Sequence, residues 1–486
     1  MTRVDVAIVG AGFAGIGMAM ALRRAGIESF VVLERAASVG GTWRDNTYPG
    51  IACDVPSHLY GFAAHPNPDW SGLYARGDEI RGYLERVAEA EGISPRFDTP
   101  LLSARWDEAG DVWRLETGGP APDAIEAEVL VLACGRLTEP SIPDVPGLES
   151  FPGPLFHSAR WNHDAALAGR RIGVVGTGAS AVQLVPELAR IADVTLFQRT
   201  PAWIVPRRAH AYSSEDRARF AASPDELLRL RVALNAEGEE RFASRSGDPD
   251  AAGRATAEAR AHLESHISDP VLRAQLTPDY AFGCKRVLLS DDFYPALASS
   301  RVRLEPSALS AVEGATLVAA SGARHEVDAL VLATGFASTR QPYADLVHGE
   351  SGTLAEHWSG GMTSFGSTVV SGFPNLFVLN GPNASLGHSS SVLMIEEQAE
   401  YAVRVLARRE GVLRVDPAAE RAYSAEIDRA AASTPWLTGG CRNWYVDERT
   451  GRLALLWPGT VTAFHDRLAG ADGSEFLPAP VKRGPS

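Results

Sequence analysis

The chain opens with two hydrophobic patterns in succession. Val4-Asp5-Val6-Ala7-Ile8-Val9 is a short apolar run of the kind a buried strand shows, and Gly10-Ala11-Gly12-Phe13-Ala14-Gly15 follows as a tight turn. The Ala/Met/Leu-rich stretch through Arg24 reads as helix, Gly26 as its stop, and residues 29–33 as a second strand ending at Glu34. The same order recurs later: Ile172-Gly173-Val174-Val175, then Gly176-Thr177-Gly178-Ala179-Ser180-Ala181, then the strand-like Val194-Thr195-Leu196-Phe197. Two further apolar runs, 129–133 and 329–333, lead into Gly135 and Gly335 and bracket the second unit. The pattern predicts an α/β fold with two dinucleotide-binding, Rossmann-like domains. The first is discontinuous (1–145 and 335–486) and encloses the second (146–334).

Between about 210 and 278 the pattern changes to charged, Ala/Arg/Glu-rich helix, read as an insertion in the second domain with a largely solvated face. Ser223-Pro224-Asp225-Glu226 is expected to start a helix with a capping box. Leu227, Leu228, Leu230 and Leu234 supply its apolar face, and Gly247-Asp248-Pro249-Asp250 breaks it. Gly381-Pro382-Asn383 precedes another helical run over 394–406.

A GxGxxG run alone says little. Here it follows a strand, opens a helix, and has an acid 19 residues after its last glycine. Gly10 permits the turn, Gly12 lets a pyrophosphate approach the backbone, and Gly15 packs helix on strand. Glu34 is placed to accept ribose hydroxyls. In the second turn Gly176, Thr177, Gly178, Ala179 and Ser180 repeat this cradle, but the following strand ends in Gln198-Arg199-Thr200. A cation and a hydroxyl suit a 2′-phosphate, which a carboxylate would repel, so this site is read for NADPH. Two nucleotide sites in one chain imply FAD on the first and its hydride donor on the second.

Composition narrows the classes. The 486 residues are 45% hydrophobic and 22% charged, ordinary for a globular protein. A net charge of −14 argues against a general nucleic-acid or anionic-membrane surface, and no run approaches the roughly 20 apolar residues of a membrane span. The chain passes from Met1 straight into a strand, so no signal peptide is expected and the cytoplasm is the expected location. Cys53, Cys134, Cys284 and Cys441 form no CxxC or CxxxxC pair; no disulfide is expected, and a reducing compartment is. The twelve histidines are scattered without an HExxH motif, so no metal site is expected. Of 46 basic residues only Lys285 and Lys482 are lysines.

Three segments carry a more specific signal. Phe151-Pro-Gly153-Pro-Leu-Phe-His157-Ser-Ala-Arg-Trp161 is FxGxxxHxxxW. Gly41-Thr42-Trp43, Tyr48-Pro49-Gly50 and Asp54 fit GxWxxxx[FY]PGxxxD at every defined position. Gly283-Cys284-Lys285-Arg286 puts two cations together. Together they resemble the type I Baeyer–Villiger monooxygenases of the class B flavoprotein monooxygenases, from residue 4 to about 460. The family usually has Pro or Asp where this chain has Asn162.

The resemblance implies FAD and NADPH/NADP⁺ as cofactors and a ketone and O₂ as substrates. The product would be an ester or lactone formed through a C4a-peroxyflavin. It makes Arg286 the cation beside the flavin, Asp54 the acid that orients it, and Lys285 a contact to the NADP phosphate. Tyr60 becomes a flavin contact, His157 a coupler of domain movement to cofactor binding, and Trp444 a counterpart of a tryptophan near the NADP ribose. Asp328 and Ala333-Thr334-Gly335-Phe336 resemble the returning strand. Specificity is expected from loops around Trp203, the helical insertion and Pro435-Trp436-Leu437. A heteroatom (S/N) oxidising monooxygenase on the same fold is the alternative, which Trp161 and Arg286 disfavour. A nucleotide-binding sensor without turnover is a third reading, which the Arg286–Asp54 pair disfavours.

Overall fold

The computed structural model describes residues 2–478. Strand β1 (Thr2–Val9) lies between β2 (Phe30–Leu33) and β5 (Ala124–Leu132), parallel to both. All three are apolar on both faces near their ends, as a sheet covered on both sides requires. Helix α1 (Phe13–Arg24) crosses over between β1 and β2 and is buried along nearly its whole length. Strands β3 (Leu101–Asp107) and β4 (Val112–Thr117) extend the sheet as an antiparallel pair beside β5.

The second sheet is entirely parallel. Strands β6 (Leu155–His157), β7 (Arg171–Val175), β8 (Asp193–Phe197), β9 (Val302–Glu305) and β10 (Ala329–Leu332) stand in the order β9-β8-β7-β10-β6. Helix α2 (Ala179–Ala189) starts at the second glycine turn. The chain then returns to the first sheet: β11 (Val347–His348) pairs with β3, and β12 (Leu376–Val378) with the last residues of β5. One apolar cluster, around Ala7, Leu130 and Val378, is built only from residues before 135 and after 342.

Four helices occupy the span expected for the insertion: α3 (Ser214–Ala222), α4 (Pro224–Ser246), α5 (Pro249–His266) and α6 (Pro270–Leu276). Gly247, at φ +110°, ends α4, and the Asp248 carboxylate accepts the Ala251 N–H to start α5. Ser223 makes no side-chain cap, contrary to expectation, because it also terminates α3 and adopts φ −137°, ψ 82°. The reciprocal box instead joins Ser213 and Asp216 at the start of α3. Leu227 and Leu234 are buried, while Leu228 is 56% exposed and does not belong to the packed face.

The two connections between the sheets run side by side. Ser141 N–H donates to the Gly335 carbonyl at 2.8 Å, Ala337 N–H to that of Glu139 at 2.9 Å, and Thr334 Oγ1 to that of Ser141 at 2.6 Å. Entry to and exit from the second unit therefore form one paired strip.

Candidate active site

The two glycine turns are built alike. A Cβ on Gly10 (φ +110°) would sit 2.5 Å from the Ala133 carbonyl oxygen, and one on Gly176 (φ +114°) 2.4 Å from that of Ala333. Each turn thus presses against the apolar run that ends in glycine, which explains why the runs 129–133 and 329–333 accompany the turns. Gly15 packs so close to the Gly10 carbonyl that a Cβ would lie 1.8 Å from its oxygen. Gly178 faces open space, so its backbone is free to meet a phosphate. Thr177 Oγ1 donates to the Thr200 carbonyl, holding the turn against the end of β8. Ala179 and Ser180 form the first turn of α2, with N–H groups of the kind that receive a pyrophosphate.

Glu34 is buried and engaged at both oxygens: Oε2 accepts Ala11 N–H at 2.9 Å and Oε1 accepts Ala36 N–H at 3.0 Å. Arg44 pairs with it at 3.1 Å and donates to the Ser38 carbonyl. The acid therefore ties the first turn to the loop carrying Gly41, whose Cβ, if it had one, would meet Gly12 at 3.2 Å. Thr42 opens the short helix Thr42–Asp45. The Trp43 indole donates to Tyr60 Oη at 3.3 Å, and Tyr60 stands edge-on to both Trp43 and Phe13.

The loop then docks on the second unit. Tyr48 Oη donates to Gln183 Oε1 at 3.0 Å, and a Cβ on Gly50 would lie 2.7 Å from the Gln183 carbonyl oxygen. This docking brings Asp54 to Arg286. Nε and Nη2 of Arg286 both lie 2.8 Å from Asp54 Oδ2. Burial pushes the Asp54 carboxyl up, but the Arg286 charge and hydrogen bond outweigh it and hold it below the ordinary range. Asp54 in turn raises Arg286. Nη1 donates to the Leu386 carbonyl at 3.4 Å, and the Tyr445 side chain also interacts with the guanidinium. Each side chain of the pair remains a quarter exposed.

A second cationic group forms where β8 ends. Lys285 Nζ donates to Thr200 Oγ1 at 2.5 Å and lies 4.8 Å from the centre of the Tyr280 ring. Burial and the nearby Arg199 charge lower the Lys285 pKa. Neither Lys285 nor exposed Arg199 has a carboxylate ion-pair partner among the described residues. Asp279 attracts Lys285 and Glu448 attracts Arg199 without forming an ion pair with either, and two like charges so placed fit an anionic ligand. The pairing of residues 204–205 with 288–289 fixes this juxtaposition.

His157 lies at the paired strip between the sheets. Its Nδ1 accepts Ala159 N–H at 3.1 Å, and its ring stands edge-on to Phe336 at 5.7 Å. Nε2 is buried without a hydrogen-bond partner among the described residues, and burial pushes the ring pKa down to about 4. Phe151 and Trp161 flank the segment; Trp161 meets Phe156 edge-on, and a Cβ on Gly153 would lie 2.3 Å from the Asp328 carbonyl oxygen. Asp328 itself serves as a half-buried partner of Arg171. Trp444 is half-buried, stacks obliquely on Tyr445 at 4.8 Å and accepts Ser338 Oγ at its carbonyl.

Several residues of the site escaped the sequence reading. Arg136 is buried and donates to Asn380, Ser385 and Ser391. Its place right after Ala133-Cys134-Gly135 was a usable signal. Arg207 donates to the Cys53 carbonyl at 2.7 Å and helps hold Asp54 ionised. Arg245, near the end of α4, donates to the Gly387 carbonyl. Buried Tyr445 interacts with Arg286. The cysteine expectation is corrected: Cys284 and Cys441 form a disulfide across a separation of 157 residues, while Cys53 and Cys134 are free. Local spacing misses a pair that only the tertiary fold brings together. Among the described residues no helix is long and apolar enough to cross a membrane, and no three His, Cys, Asp or Glu gather as metal ligands.

Residues 7–220 match the family described as pyridine nucleotide-disulphide oxidoreductase. A Baeyer-Villiger monooxygenase of Streptomyces coelicolor is 46% identical, with 99% of this chain and 94% of the relative aligned. A second, from Pseudomonas aeruginosa, is 39% identical, with 97% and 90% aligned. Among solved structures, an oxidised steroid monooxygenase bound to NADP superimposes with a TM-score of 0.85 at 28% identity, covering 98% of this chain and 99% of that one. Closed and open crystal structures of cyclohexanone monooxygenase give TM-scores of 0.86 and 0.83 at 27% and 26% identity, with the same coverage.

Proposed function

Because the chain belongs to the Baeyer–Villiger monooxygenases, which use FAD and NADPH, we propose that it inserts one oxygen atom of O₂ beside a ketone carbonyl, with Arg286 and Asp54 at the reacting centre. The product is an ester or a lactone. The observation that carries the assignment is the Arg286–Asp54 pair: one residue from each nucleotide-binding unit, held at 2.8 Å, each side chain a quarter exposed. FAD, reduced by NADPH, supplies the oxygen-activating chemistry when bound.

The chain's own residues do the rest. Gly10, Gly12, Gly15 and Glu34 form the flavin nucleotide's cradle, with Gly41, Thr42, Trp43 and Tyr60 along its further length. Gly176, Thr177, Gly178, Ala179 and Ser180 receive the nicotinamide nucleotide's pyrophosphate; Arg199, Thr200 and Lys285 receive its 2′-phosphate. Residues 1–145 and 335–486 make the flavin domain, and 146–334 the NADP domain. Asp54 keeps Arg286 charged and oriented. Arg286 presents a fixed guanidinium to negative charge developing beside the carbonyl, in a cleft that needs no reorganisation to stabilise it. His157, with Phe151, Gly153 and Trp161, couples the paired strip to nucleotide binding. Trp444 stands near the ribose of the nicotinamide nucleotide.

The test is a panel of cyclic, aromatic and linear ketones beside amines and sulfides, with NADPH, O₂ and product detection by mass spectrometry. Esters or lactones from ketones are expected as the main products. Exclusive S- or N-oxides would favour the heteroatom reading, and no product from any class would remove the assignment.

A further inference from the structure

The Cys284–Cys441 bond joins two parts of the chain whose main anchors lie on different units. Cys284 lies in residues 280–287, which are fixed to the second unit: the Trp203 indole donates to the Tyr280 carbonyl at 3.0 Å, and Leu288 N–H to the Trp203 carbonyl at 2.9 Å. Cys441 opens a segment fixed to the first unit. Ala454 N–H donates to the Tyr445 carbonyl, Asn383 N–H to that of Ala454, and Trp444 packs on the core around Ala7 and Val378. Beside the bond, Ala281 N–H donates to the Gly439 carbonyl at 2.9 Å. Gly439 packs so closely that a Cβ there would meet that of Cys284 at 2.8 Å. The bond is thus a covalent link between units, one residue away from Lys285 and two from Arg286.

We propose that Cys284–Cys441 is a thiol–disulfide exchange site that takes a dithiol reductant and sets how firmly the two units close on the nicotinamide nucleotide. The inference rests on the nucleotide placement proposed above. The two sulfurs differ in access: Cys284 is 1% exposed, whereas Cys441 is half-buried in an irregular stretch whose neighbour Arg442 is exposed. A thiolate of the reductant attacks Cys441 Sγ, the S–S bond breaks, and Cys284 leaves as a thiolate. Lys285 and Arg286 follow Cys284 in the chain, and cations near a sulfur favour its leaving as a thiolate. The reductant's second thiolate then attacks the mixed disulfide and releases Cys441. Two electrons pass to the enzyme, the reductant ends as a disulfide, and both cysteines end as thiols with protons from water.

The consequence lies in domain motion. Cyclohexanone monooxygenase has been crystallised in open and closed forms. In this chain the oxidised link ties the Lys285–Arg286 segment to the Trp444–Tyr445 segment, so separation of the units around a bound nucleotide is restrained. Reduction leaves the Ala281–Gly439 hydrogen bond and the Arg286–Tyr445 interaction at that seam, without a covalent tie. The oxidised holoenzyme therefore holds NADP⁺ more tightly and releases it more slowly than the reduced one.

The test uses holoenzyme purified without thiols. Peptide mapping after alkylation, with and without tris(2-carboxyethyl)phosphine, is expected to show two blocked cysteines before reduction and four after. Calorimetric NADP⁺ affinity is expected to weaken about tenfold on reduction. Cys441→Ser should match the reduced wild type and stop responding to reductant. Cys134→Ser, which leaves the bond intact, should respond like the wild type. Cys284 and Cys441 fully alkylated in the oxidised protein, or equal NADP⁺ affinity before and after reduction, would overturn the proposal. Ketone oxygenation measured alongside separates the two readings: an affinity change without ester formation sustains the exchange site and removes the assigned reaction.

Discussion

Lys285→Ala offers a sharp measurement of nucleotide choice. The ammonium is bonded to Thr200 Oγ1 at 2.5 Å, sits over Tyr280, and shares its neighbourhood with Arg199 without a carboxylate ion-pair partner among the described residues. Its removal relieves repulsion from Arg199 and gives up the Thr200 hydrogen bond, the Tyr280 ring contact and the Asp279 attraction, losses that fall on both donors alike. A bound 2′-phosphate loses one charge-assisted hydrogen bond, typically about 1.5–3 kcal/mol. At about 1.4 kcal/mol per tenfold, that raises the KM for NADPH by about 10- to 150-fold. NADH lacks the 2′-phosphate, so its KM should change by no more than about fivefold, the roughly 0.2–1 kcal/mol scale of an exposed pair. The assay is initial-rate nucleotide oxidation with each donor, using a ketone the wild type accepts. Equal effects on the two donors would refute the placement. The pH dependence follows with the same sign: burial and Arg199 lower the Lys285 pKa, so it loses its proton earlier than an ordinary lysine as pH rises. Preference for NADPH over NADH should fall on the alkaline side in the wild type and not in Lys285→Ala.

Other changes test other parts of the site. Arg286→Ala should still accept electrons from NADPH in anaerobic stopped-flow but lose ester formation by about 100- to 1,000-fold, the cost of one preorganised donor of about 2.7–4 kcal/mol; normal oxygenation would refute its role. Asp54→Asn keeps a hydrogen bond to Arg286 but removes the paired charge, so ester yield per NADPH consumed should fall at least about tenfold. The His157 ring is held at about 4 by burial, so its proton NMR signals should not titrate between pH 5 and 8; a step near 6.5 would refute that burial. Gly176→Ala forces a clash with the Ala333 carbonyl and should lower Tm, whereas Gly178→Ala meets no chain atom and should fold normally while binding NADP⁺ more weakly by calorimetry.

The parts legible in the sequence were those with short-range grammar. Gly10 and Gly176 are visible because a backbone at φ near +110° beside a carbonyl tolerates only glycine, and that need is local. Lys285 and Arg286 were found because a family pattern names adjacent positions. Arg207, Arg245 and Tyr445 were not, since each reaches the cleft from a different element and no spacing announces it. Ser223 misled because its capping residues are right, but its backbone is committed to ending the helix before it. The disulfide was invisible for the same reason as the arginines: its halves meet only when both sheets have formed.

The paired strip at residues 139–141 and 334–337 bears on how the chain assembles. The core around Ala7, Leu130 and Val378 needs residues that stand on either side of a long intervening segment. Bringing Ser141 and Thr334, 193 positions apart, together from a disordered chain would cost about 5 kcal/mol in loop entropy. A second unit that folds first on its own parallel sheet delivers those two ends already in register. It then acts as a folding staple: its collapse shortens the effective chain of the first sheet and turns a slow, distant encounter into a near-local one. In pulsed hydrogen exchange, the amides of β7 and β8 should gain protection before β12 docks on β5.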